Sequence, residues 1–529
     1  MKNNKFQNII NLCVKKGCLI ISILIAIIGI LSIFITAYFN TTFYHADEKT
    51  FFKYSIGIPE ILITLAVLAL IIFIVKKILK KIPSKILLIL LLIPSLFLFI
   101  LWVKTLQLNP ETDQKMIHDM ALYLLGGSVD FFLIPSQYLF LYPYQFGLTF
   151  FVTIIYKIFG QDWMNILYIN CIASVINMFI IFYISKMLFK NENTQKILTL
   201  LLGFFALYWM FFNPHFYGNI IGFTFSLGAI LFTLFYLENN KLFNLVLSGV
   251  LIAISILLKS NFNIFLCGII FILILDIIKK WKLKNLLIIP IFLIGYLGIN
   301  LSYNAVVNYL NVELPDGVPM ISFVYMGISE PTNLSAGWYN NSTVDIYTEN
   351  KYDTNLTVQK TLEKIGERFE YFAQNPNEFF KYFGEKIGST WVNPTFQTIF
   401  YSLPGSRYIF NSEYAHYLGY HETVLSMVGG NLYKAEEFIF NIYQIIVFVF
   451  AGLGLFKLSK NINLKQAFLP IIFIGGFLFH IIWETKAIYV IQYYFLLLPF
   501  AAYGINYFTE NILPNLSVLL KSKFNKNVE

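Results

Sequence analysis

Long apolar runs alternate with short polar links along nearly the whole chain. Twelve of these runs approach the ~20 residues that a membrane-spanning helix needs. They are Cys18–Phe39, Ile56–Val75, Ile86–Val103, Met164–Ile184, Ile197–Phe212, Asn219–Tyr236, Leu242–Leu258, Phe262–Ile278, Leu286–Tyr303, Phe438–Phe456, Ala467–Trp483 and Ile488–Phe508. With 57% hydrophobic and only 13% charged residues, the composition excludes a soluble fold. We therefore predict an α-helical polytopic membrane protein with about twelve transmembrane helices.

Lysine placement orients the predicted helices. Six of the links and tails that would share one membrane side are rich in lysine, and with Lys241 they hold 23 of the 38 basic residues. Cytoplasmic links carry the excess of positive charge, so both termini are predicted to be cytoplasmic. The net charge of +9 is concentrated on that side, which explains the basic character of the chain without a nucleic-acid partner.

One further apolar stretch, Tyr144–Phe159, does not fit as a span. Counting it as a crossing would reverse every later link and place the lysine clusters outside. We predict instead a juxtamembrane helix on the outer leaflet, ending at Gly160.

Two outer segments are long enough to carry a function. Residues 1–304 would form a transmembrane catalytic domain whose first outer loop covers 104–163. Residues 305–437 would form a small extracytoplasmic lobe, in which Thr357–Gln374 has helical periodicity. Residues 438–529 would supply the last transmembrane helices and a cytoplasmic tail.

The first outer loop contains an acidic cluster that includes Glu111, Asp113 and His118. Ionisable residues near a bilayer are costly unless they have a use. Asp113 is a candidate general base, since a carboxylate there can accept a proton from an attacking hydroxyl. The alternatives are a solvated loop acid or a helix N-cap. His118 fits a solvated histidine as well as a ligand.

Aromatic and basic residues at the same predicted depth are candidates for substrate binding. Tyr142-Pro143-Tyr144-Gln145 begins the outer helix, and its aromatics could stack on sugars or form an interfacial belt. Lys259 at a span end and Lys386 in the lobe could pair with phosphate, or could be snorkelling or solvated residues. The four cysteines lie in or beside spans, and no metal signature is present.

In order along the chain, several short motifs resemble integral-membrane glycosyltransferases of the C superfamily, which includes protein mannosyltransferases and the aminoarabinose transferase. The matching stretches are Asp113-Gln114 with Ala121 and Gly126-Gly127, Tyr142-Pro-Tyr-Gln-Phe-Gly147, Tyr217-Gly218, Leu258-Lys259-Ser-Asn261 and Gly337-Trp-Tyr339-Asn340. The resemblance covers roughly residues 86–440 and is closer to the bacterial cell-surface polysaccharide branch.

The resemblance implies a polyprenyl-phosphate sugar donor, an inverting displacement with Asp113 as the base, and a glycan or glycopolymer acceptor such as a wall polysaccharide or teichoic acid. Substrate-binding residues would be Glu111, His118, Tyr142, Gln145, Tyr217, Lys259, Tyr339 and Lys386. The second outer loop has His215 and Tyr217 where metal-using members have an acid, so a divalent metal is left open. Two additional N-terminal spans make Asp47-Glu48 a rival for the catalytic position.

Two other classes of membrane protein share parts of this pattern. A polysaccharide polymerase or ligase resembles it in span number, but members of that class look arginine-dependent, and only Arg368 and Arg407 occur here. A secondary transporter would carry ionisable residues at the bilayer midplane, whereas Glu60, Asp276 and Glu484 lie near span ends.

A lipid donor needs its tail in hydrocarbon and its phosphate at headgroup depth. We therefore expect Asp113, Tyr142, Gln145, Tyr217 and Lys259 to line one cavity at the outer boundary, beneath the lobe.

Overall fold

The computed structural model describes residues 2–39, 49–280, 283–331, 335–402 and 422–515. Its first half contains α1 (Lys2–Phe34), β1 (Ile35–Phe39), β2 (Thr50–Tyr54), α2 (Ile58–Phe73), α3 (Ser84–Leu106), α4 (Asp113–Leu125), α5 (Tyr138–Leu141), α6 (Phe146–Phe159), α7 (Trp163–Leu188), α8 (Glu192–Phe212), α9 (Asn219–Asn239) and α10 (Phe243–Leu258). The second half contains α11 (Asn263–Lys280), α12 (Ile288–Tyr309), α13 (Ile321–Ile328), α14 (Ser342–Glu349), α15 (Thr354–Gln374), α16 (Pro376–Trp391), α17 (Glu422–Gly429), α18 (Asn431–Ser459), α19 (Leu464–Ile482), α20 (Ala487–Phe495) and α21 (Leu498–Tyr507). Short 3₁₀ turns cover Asp130–Leu133, Pro143–Gln145, Ser260–Phe262, Leu283–Leu287 and Phe400–Ser402, and π turns cover Ile74–Ile78 and Phe508–Ile512.

The polytopic helical architecture predicted from the sequence is confirmed. Within the described ranges, ten helices are long and apolar enough to cross a membrane, or eleven if a bent pair counts as one span. That pair, Ala487–Phe495 and Leu498–Asn515, bends by 51°. Where Leu242–Leu258 is predicted to span, the structure has an apolar helix, Phe243–Leu258, of 16 residues and roughly 24 Å, shorter than the hydrocarbon core of a bilayer.

The end of the first predicted span differs from the prediction. The helix stops at Phe34, and Ile35–Phe39 pairs antiparallel with Thr50–Tyr54 instead of continuing the span. Both strands are rich in β-branched and aromatic residues, which favour extended backbone. The strand pair is also tied to the rest of the protein, because the Ala37 N–H donates to the Val392 carbonyl. Asp47 and Glu48, the rival acidic pair, lie outside the described residues.

The lysine-rich links gather at one end of the helix bundle. Three contacts join them: Lys196 Nζ donates to the carbonyls of Leu79 and Lys80, Lys280 Nζ donates to Asn240 Oδ1, and Lys465 lies 3.9 Å from Glu238. The described part of residues 305–437, called the 305–437 segment below, packs against the opposite end, where the Val318 N–H donates to Leu141 O. This separation of charge is the pattern on which the predicted orientation rests.

The 305–437 segment packs partly within itself and partly against helices outside it. One of its apolar clusters centres on Phe323, Met326 and Tyr347 and includes Leu141 and Trp483 from outside the segment. A second cluster, Ile328, Ala336, Phe372 and Tyr382, joins α13, α15 and α16. The segment is therefore built onto the span ends.

The apolar stretch Tyr144–Phe159 forms a 3₁₀ turn followed by α6, a helix of 14 residues and roughly 21 Å. Its C-terminal neighbour Trp163 begins α7 and packs 5.8 Å from Phe216, close to the end of the bundle where α6 starts. Both ends of α6 therefore lie at the same end of the bundle, which fits a juxtamembrane position.

The orientation can be tested by labelling single cysteines in a background without the four native ones. Asp345→Cys, on an exposed position of α14, should react with a membrane-impermeant maleimide in intact cells, because the lysine pattern places that end outside. Lys460→Cys, at an exposed position of the lysine-rich end, should react only after permeabilisation. If Lys460→Cys reacts in intact cells and Asp345→Cys only after permeabilisation, the protein has the opposite orientation in the membrane.

Candidate active site

A cavity of about 530 Å³ lies where the 305–437 segment meets the ends of the helices. It contains all five side chains that the sequence predicts to share a pocket, together with Tyr339. Its lining is Thr112, Asp113, Tyr138, Leu141, Tyr142, Tyr144, Gln145, Tyr217, Lys259, Ser260, Asn261, Met320, Phe323, Tyr339, Asn341, Val344, Trp483, Glu484, Lys486 and Tyr489. Two carboxylates and two lysines therefore face this space, and tyrosine is the commonest residue type in its lining.

Asp113 is placed by the first turn of α4. Thr112, not Asp113, occupies the N-cap position and has φ of 49°, a conformation that β-branched residues rarely adopt. Gln114, the residue after Asp113, is buried, and its Oε1 accepts a hydrogen bond of 2.9 Å from the Phe216 N–H. This bond fixes the start of α4 beside the link between α8 and α9. As a result, Asp113 lines the same cavity as Tyr217.

Lys259 lies between the last residue of α10 and the turn that opens α11. Its ammonium is 4.4 Å from the centre of the Tyr217 ring and 5.5 Å from that of Tyr489, close enough for cation–π attraction. Burial lowers the pKa of Lys259 to about 8, while the carboxylates of Glu484 and Asp113 act in the opposite direction. The Lys259 ammonium thus lies in the field of both acids that line the cavity.

Tyrosine hydroxyls form two short chains of hydrogen bonds along the wall. Gln145 Nε2 donates to the Tyr217 hydroxyl, which is also bonded to the Tyr138 hydroxyl. In the second chain, the Tyr142 hydroxyl lies 3.4 Å from the Tyr339 hydroxyl, which donates to Asn341 Oδ1 at 2.9 Å. Burial raises the pKa of Tyr138 and Tyr217, so these hydroxyls stay neutral. Neutral hydroxyls can both donate to and accept from a polyol.

Two glycines of the sequence motifs allow the elements around Lys259 to approach closely. A Cβ on Gly147 would lie 2.4 Å from Leu257 O, and one on Gly218 would lie 2.3 Å from Leu258 O. Gly218 also has φ of +75° and is the N-cap residue of α9. Glycine at these positions lets α6 and the α8–α9 link rest directly on the end of α10. That contact brings Gln145 and Tyr217 next to Lys259.

Gly218→Ala should therefore destabilise the protein and reduce the activity of the site. The positive φ alone costs about 1–3 kcal/mol for a residue with a Cβ, and the clash with Leu258 O adds to it. We expect a lower melting temperature in detergent or lipid discs. Gly366→Ala, on α15 with open space around it, is the matched control and should leave the melting temperature unchanged or slightly raised.

Three of the predicted substrate-binding residues do not line this cavity. The His118 ring packs against Tyr156 and Trp163, with Nδ1 2.5 Å from the Tyr156 hydroxyl, so it joins α4 to α6 and α7. Burial lowers the pKa of His118. Lys386 is 1% exposed and points at backbone carbonyls. Glu111 lies outside the lining, just before Thr112. Their roles as substrate contacts stay predictions that the geometry does not favour.

Glu484, Lys486 and Tyr489 complete the cavity, although the sequence did not mark them as site residues. In the sequence, Glu484 stands out only as an acid near the end of a span. The available signal was local: an acid and a lysine, both 8% exposed in the structure, stand within four residues between two long apolar runs. Charge at the junction of two spans is costly, but sequence spacing does not show that this junction meets Asp113 and Lys259 in one cavity.

Among the described residues, no group of three or more His, Cys, Asp or Glu side chains is arranged to hold a metal ion. His215, which stands where metal-using members of the resembled superfamily have an acid, packs against Tyr401, with the two ring centres 4.1 Å apart. It does not line the cavity.

Comparison with known proteins adds one finding. Residues 143–301, less than a third of the chain, match the model of the dolichyl-phosphate-mannose-protein mannosyltransferase family. The match includes Gln145, Tyr217 and Lys259 but not Asp113 or Glu484. No curated protein and no solved structure matches the chain. The family match and the multiple apolar helices support a multi-pass membrane glycosyltransferase of the C-superfamily type.

Proposed function

We propose that the protein transfers a sugar from a polyprenyl-phosphate donor to a glycan or glycopolymer acceptor at the outer face of the cell membrane. The observation that carries this proposal is the joint placement of Asp113 and Lys259 in one cavity lined by tyrosine hydroxyls. A base, a cation and polyol-binding groups are the parts that glycosyl transfer from a phosphate needs.

Lys259 is the group best placed for the donor phosphate. It stands at the end of an apolar helix, where a lipid phosphate would sit while its isoprenoid tail stays in hydrocarbon. An ammonium pairs with phosphate as a compact charge, and the low polarity of a buried site strengthens that attraction. Ser260 and Asn261 line the cavity beside it and offer further hydrogen-bond donors.

Asp113 would act on the acceptor. In an inverting displacement, the acceptor oxygen attacks the anomeric carbon while the bond from that carbon to the phosphate oxygen breaks. The acceptor proton passes to Asp113, and the electron pair of the broken bond leaves with the polyprenyl phosphate. Lys259 stabilises the charge that develops on that phosphate, and the tyrosine hydroxyls orient the sugar ring.

The polarity of the fold supports an extracytoplasmic site. The cavity lies at the end of the bundle opposite the lysine-rich links, and positive charge is concentrated in cytoplasmic links. With both termini cytoplasmic, the acceptor would arrive from outside the cell, and the donor would reach the cavity laterally through the outer leaflet.

Transfer by the purified protein in lipid discs tests the proposal. Polyprenyl-monophosphate sugars, each carrying one labelled sugar, would be incubated with a cell-wall glycan fraction. We expect label in the glycan and an equal amount of polyprenyl phosphate released for at least one donor. A polymerase would instead require a polyprenyl-diphosphate oligosaccharide, and consumption of that substrate alone would reject the proposal.

The rate of transfer should depend on the charge of Lys259. Since burial lowers the pKa of Lys259 to about 8, the ammonium is present below that pH and is lost above it. In the free enzyme, kcat/KM should therefore fall as pH rises through about 8. Lys259→Arg stays charged in this range, so its lower activity should lack this fall. A wild-type profile that stays flat from about pH 7 to 9 would exclude this role.

A further inference from the structure

Four residues, Trp483 to Lys486, form the junction between α19 and α20. The 305–437 segment holds this junction in place. The Trp483 ring stacks on Phe323 from that segment, at 5.8 Å and 8°, and on Phe479 at 4.8 Å and 24°. These two ring contacts hold the indole, and with it the backbone that follows.

Backbone hydrogen bonds continue the same attachment. The Glu484 N–H donates to Phe323 O at 3.0 Å, and the Thr485 N–H donates to Gly337 O at 2.8 Å. Consecutive residues of the junction are thus bonded to α13 and to the turn before α14. The position of the Glu484 side chain in the cavity is set by residues far away in sequence.

Lys386 on α16 makes the central attachment. Its Nζ donates to Trp483 O at 2.8 Å and to Gly327 O, and the residue is 1% exposed. A lysine buried to this extent is expensive unless each of its donors is satisfied. Burial lowers the pKa of Lys386 to about 7, with Glu484 acting in the opposite direction. Lys386 therefore touches the junction but does not line the cavity.

We infer that Glu484 is a second carboxylate that contacts the sugar substrates, and that Lys386 is the positioning residue that holds Glu484 in the cavity. This inference rests on the proposed function, since it assigns a further role within the same site. Glu484 is 8% exposed and lines the cavity. Its ligand would be carbohydrate hydroxyls, because a carboxylate accepts hydrogen bonds at both oxygens and a sugar offers several donors.

The two roles predict different kinetic effects. Glu484→Gln keeps the shape of the side chain but replaces one acceptor oxygen with a donor group. We expect kcat/KM to fall by about 10- to 10²-fold, mainly through KM, because hydrogen bonds to a charged group are lost. Lys386→Met should misplace the junction and reduce kcat/KM by up to about 10²-fold. Lys381→Met, at an exposed position five residues earlier on α16, should leave the activity unchanged.

A double-mutant cycle separates positioning from general damage. If Lys386 acts through Glu484, the double variant should be as active as the less active of the two single variants. The second change then removes an interaction that the first has already lost. Effects that multiply would overturn the positioning role. Full activity of Glu484→Gln would overturn the substrate contact. Lys386→Arg, which keeps the charge and donors, should restore part of the activity; activity as low as that of Lys386→Met would contradict the positioning role.

Hydrogen exchange supplies a readout that does not depend on turnover. In Lys386→Met, amides of the peptide containing Glu484 and Thr485 should exchange at least about tenfold faster, while the buried middle of α18 should be unaffected. Unchanged exchange at the junction would reject the positioning role even if transfer is lost. If wild-type protein transfers no sugar from any polyprenyl-phosphate donor, the proposed function fails, and exchange still decides whether Lys386 holds the junction. If Lys386→Met does not fold, the same exchange comparison is made with Lys386→Arg, in which a smaller increase is expected.

Discussion

Asp113→Asn should lower sugar transfer by about 10²–10⁴-fold, the range by which a positioned general base accelerates proton transfer. The amide has nearly the same size and shape, but it cannot accept the proton of the acceptor hydroxyl. Asp113 opens α4 on the accessible wall of the cavity, so the change leaves the helical core intact. Binding of the donor should be nearly unchanged, and the loss should appear in kcat.

The matched control is Asp119→Asn on the same helix. Asp119 is partly buried, and it does not line the cavity. Its replacement should leave the transfer rate within a few-fold of wild type. If Asp119→Asn is as inactive as Asp113→Asn, the loss reflects damage to α4. If Asp113→Asn keeps most of its activity, another group takes the proton.

Lys259→Met should produce the second large loss, about 10²–10³-fold, comparable to removing one group that stabilises developing charge in an active site. Methionine fills a similar volume against Tyr217 but carries no charge to offset that of the phosphate. Because the phosphate is charged both in the donor and in the product, donor binding should weaken as well. The measurement is initial rate against donor concentration in lipid discs.

Lys157→Met is the control for loss of positive charge at the same end of the bundle. Lys157 is exposed near the end of α6 and is not part of the cavity lining. It should retain near wild-type rates, because an exposed charge is screened by water and salt. A loss in this variant equal to that of Lys259→Met would indicate a general effect of surface charge.

The helical architecture and the membership of much of the cavity were predictable because they depend on strong local signals. Apolar runs of sufficient length can only be helices in a membrane, and the lysine-rich links fixed their alternation. Gln145 and Tyr217 stand in short motifs with Gly147 and Gly218, which the structure places in close contact with Leu257 and Leu258, just before Lys259. Those motifs carried enough information to place the side chains near one another.

Residues whose role depends on distant partners were not predictable. Lys386 has the sequence context of an ordinary amphipathic helix, yet its ammonium donates hydrogen bonds to carbonyls 59 and 97 residues away. His118 is likewise joined to Tyr156, on a helix whose contact with α4 no spacing reveals. Glu484 enters the cavity only because the 305–437 segment holds its junction. In each case tertiary packing determines where the side chain lies, and the local sequence pattern does not show it.

The most direct test of the account is a structure of the protein in lipid with a donor analogue whose sugar is linked to polyprenyl phosphate through a bond that cannot be transferred. We predict the phosphate within about 4 Å of Lys259 Nζ, as expected for an ion pair. The sugar should lie against Tyr217 and Tyr339, and Asp113 on the side of the anomeric carbon opposite the phosphate. A donor bound outside this cavity, or a phosphate remote from Lys259 with Asp113 on the same side as the leaving group, would contradict the account.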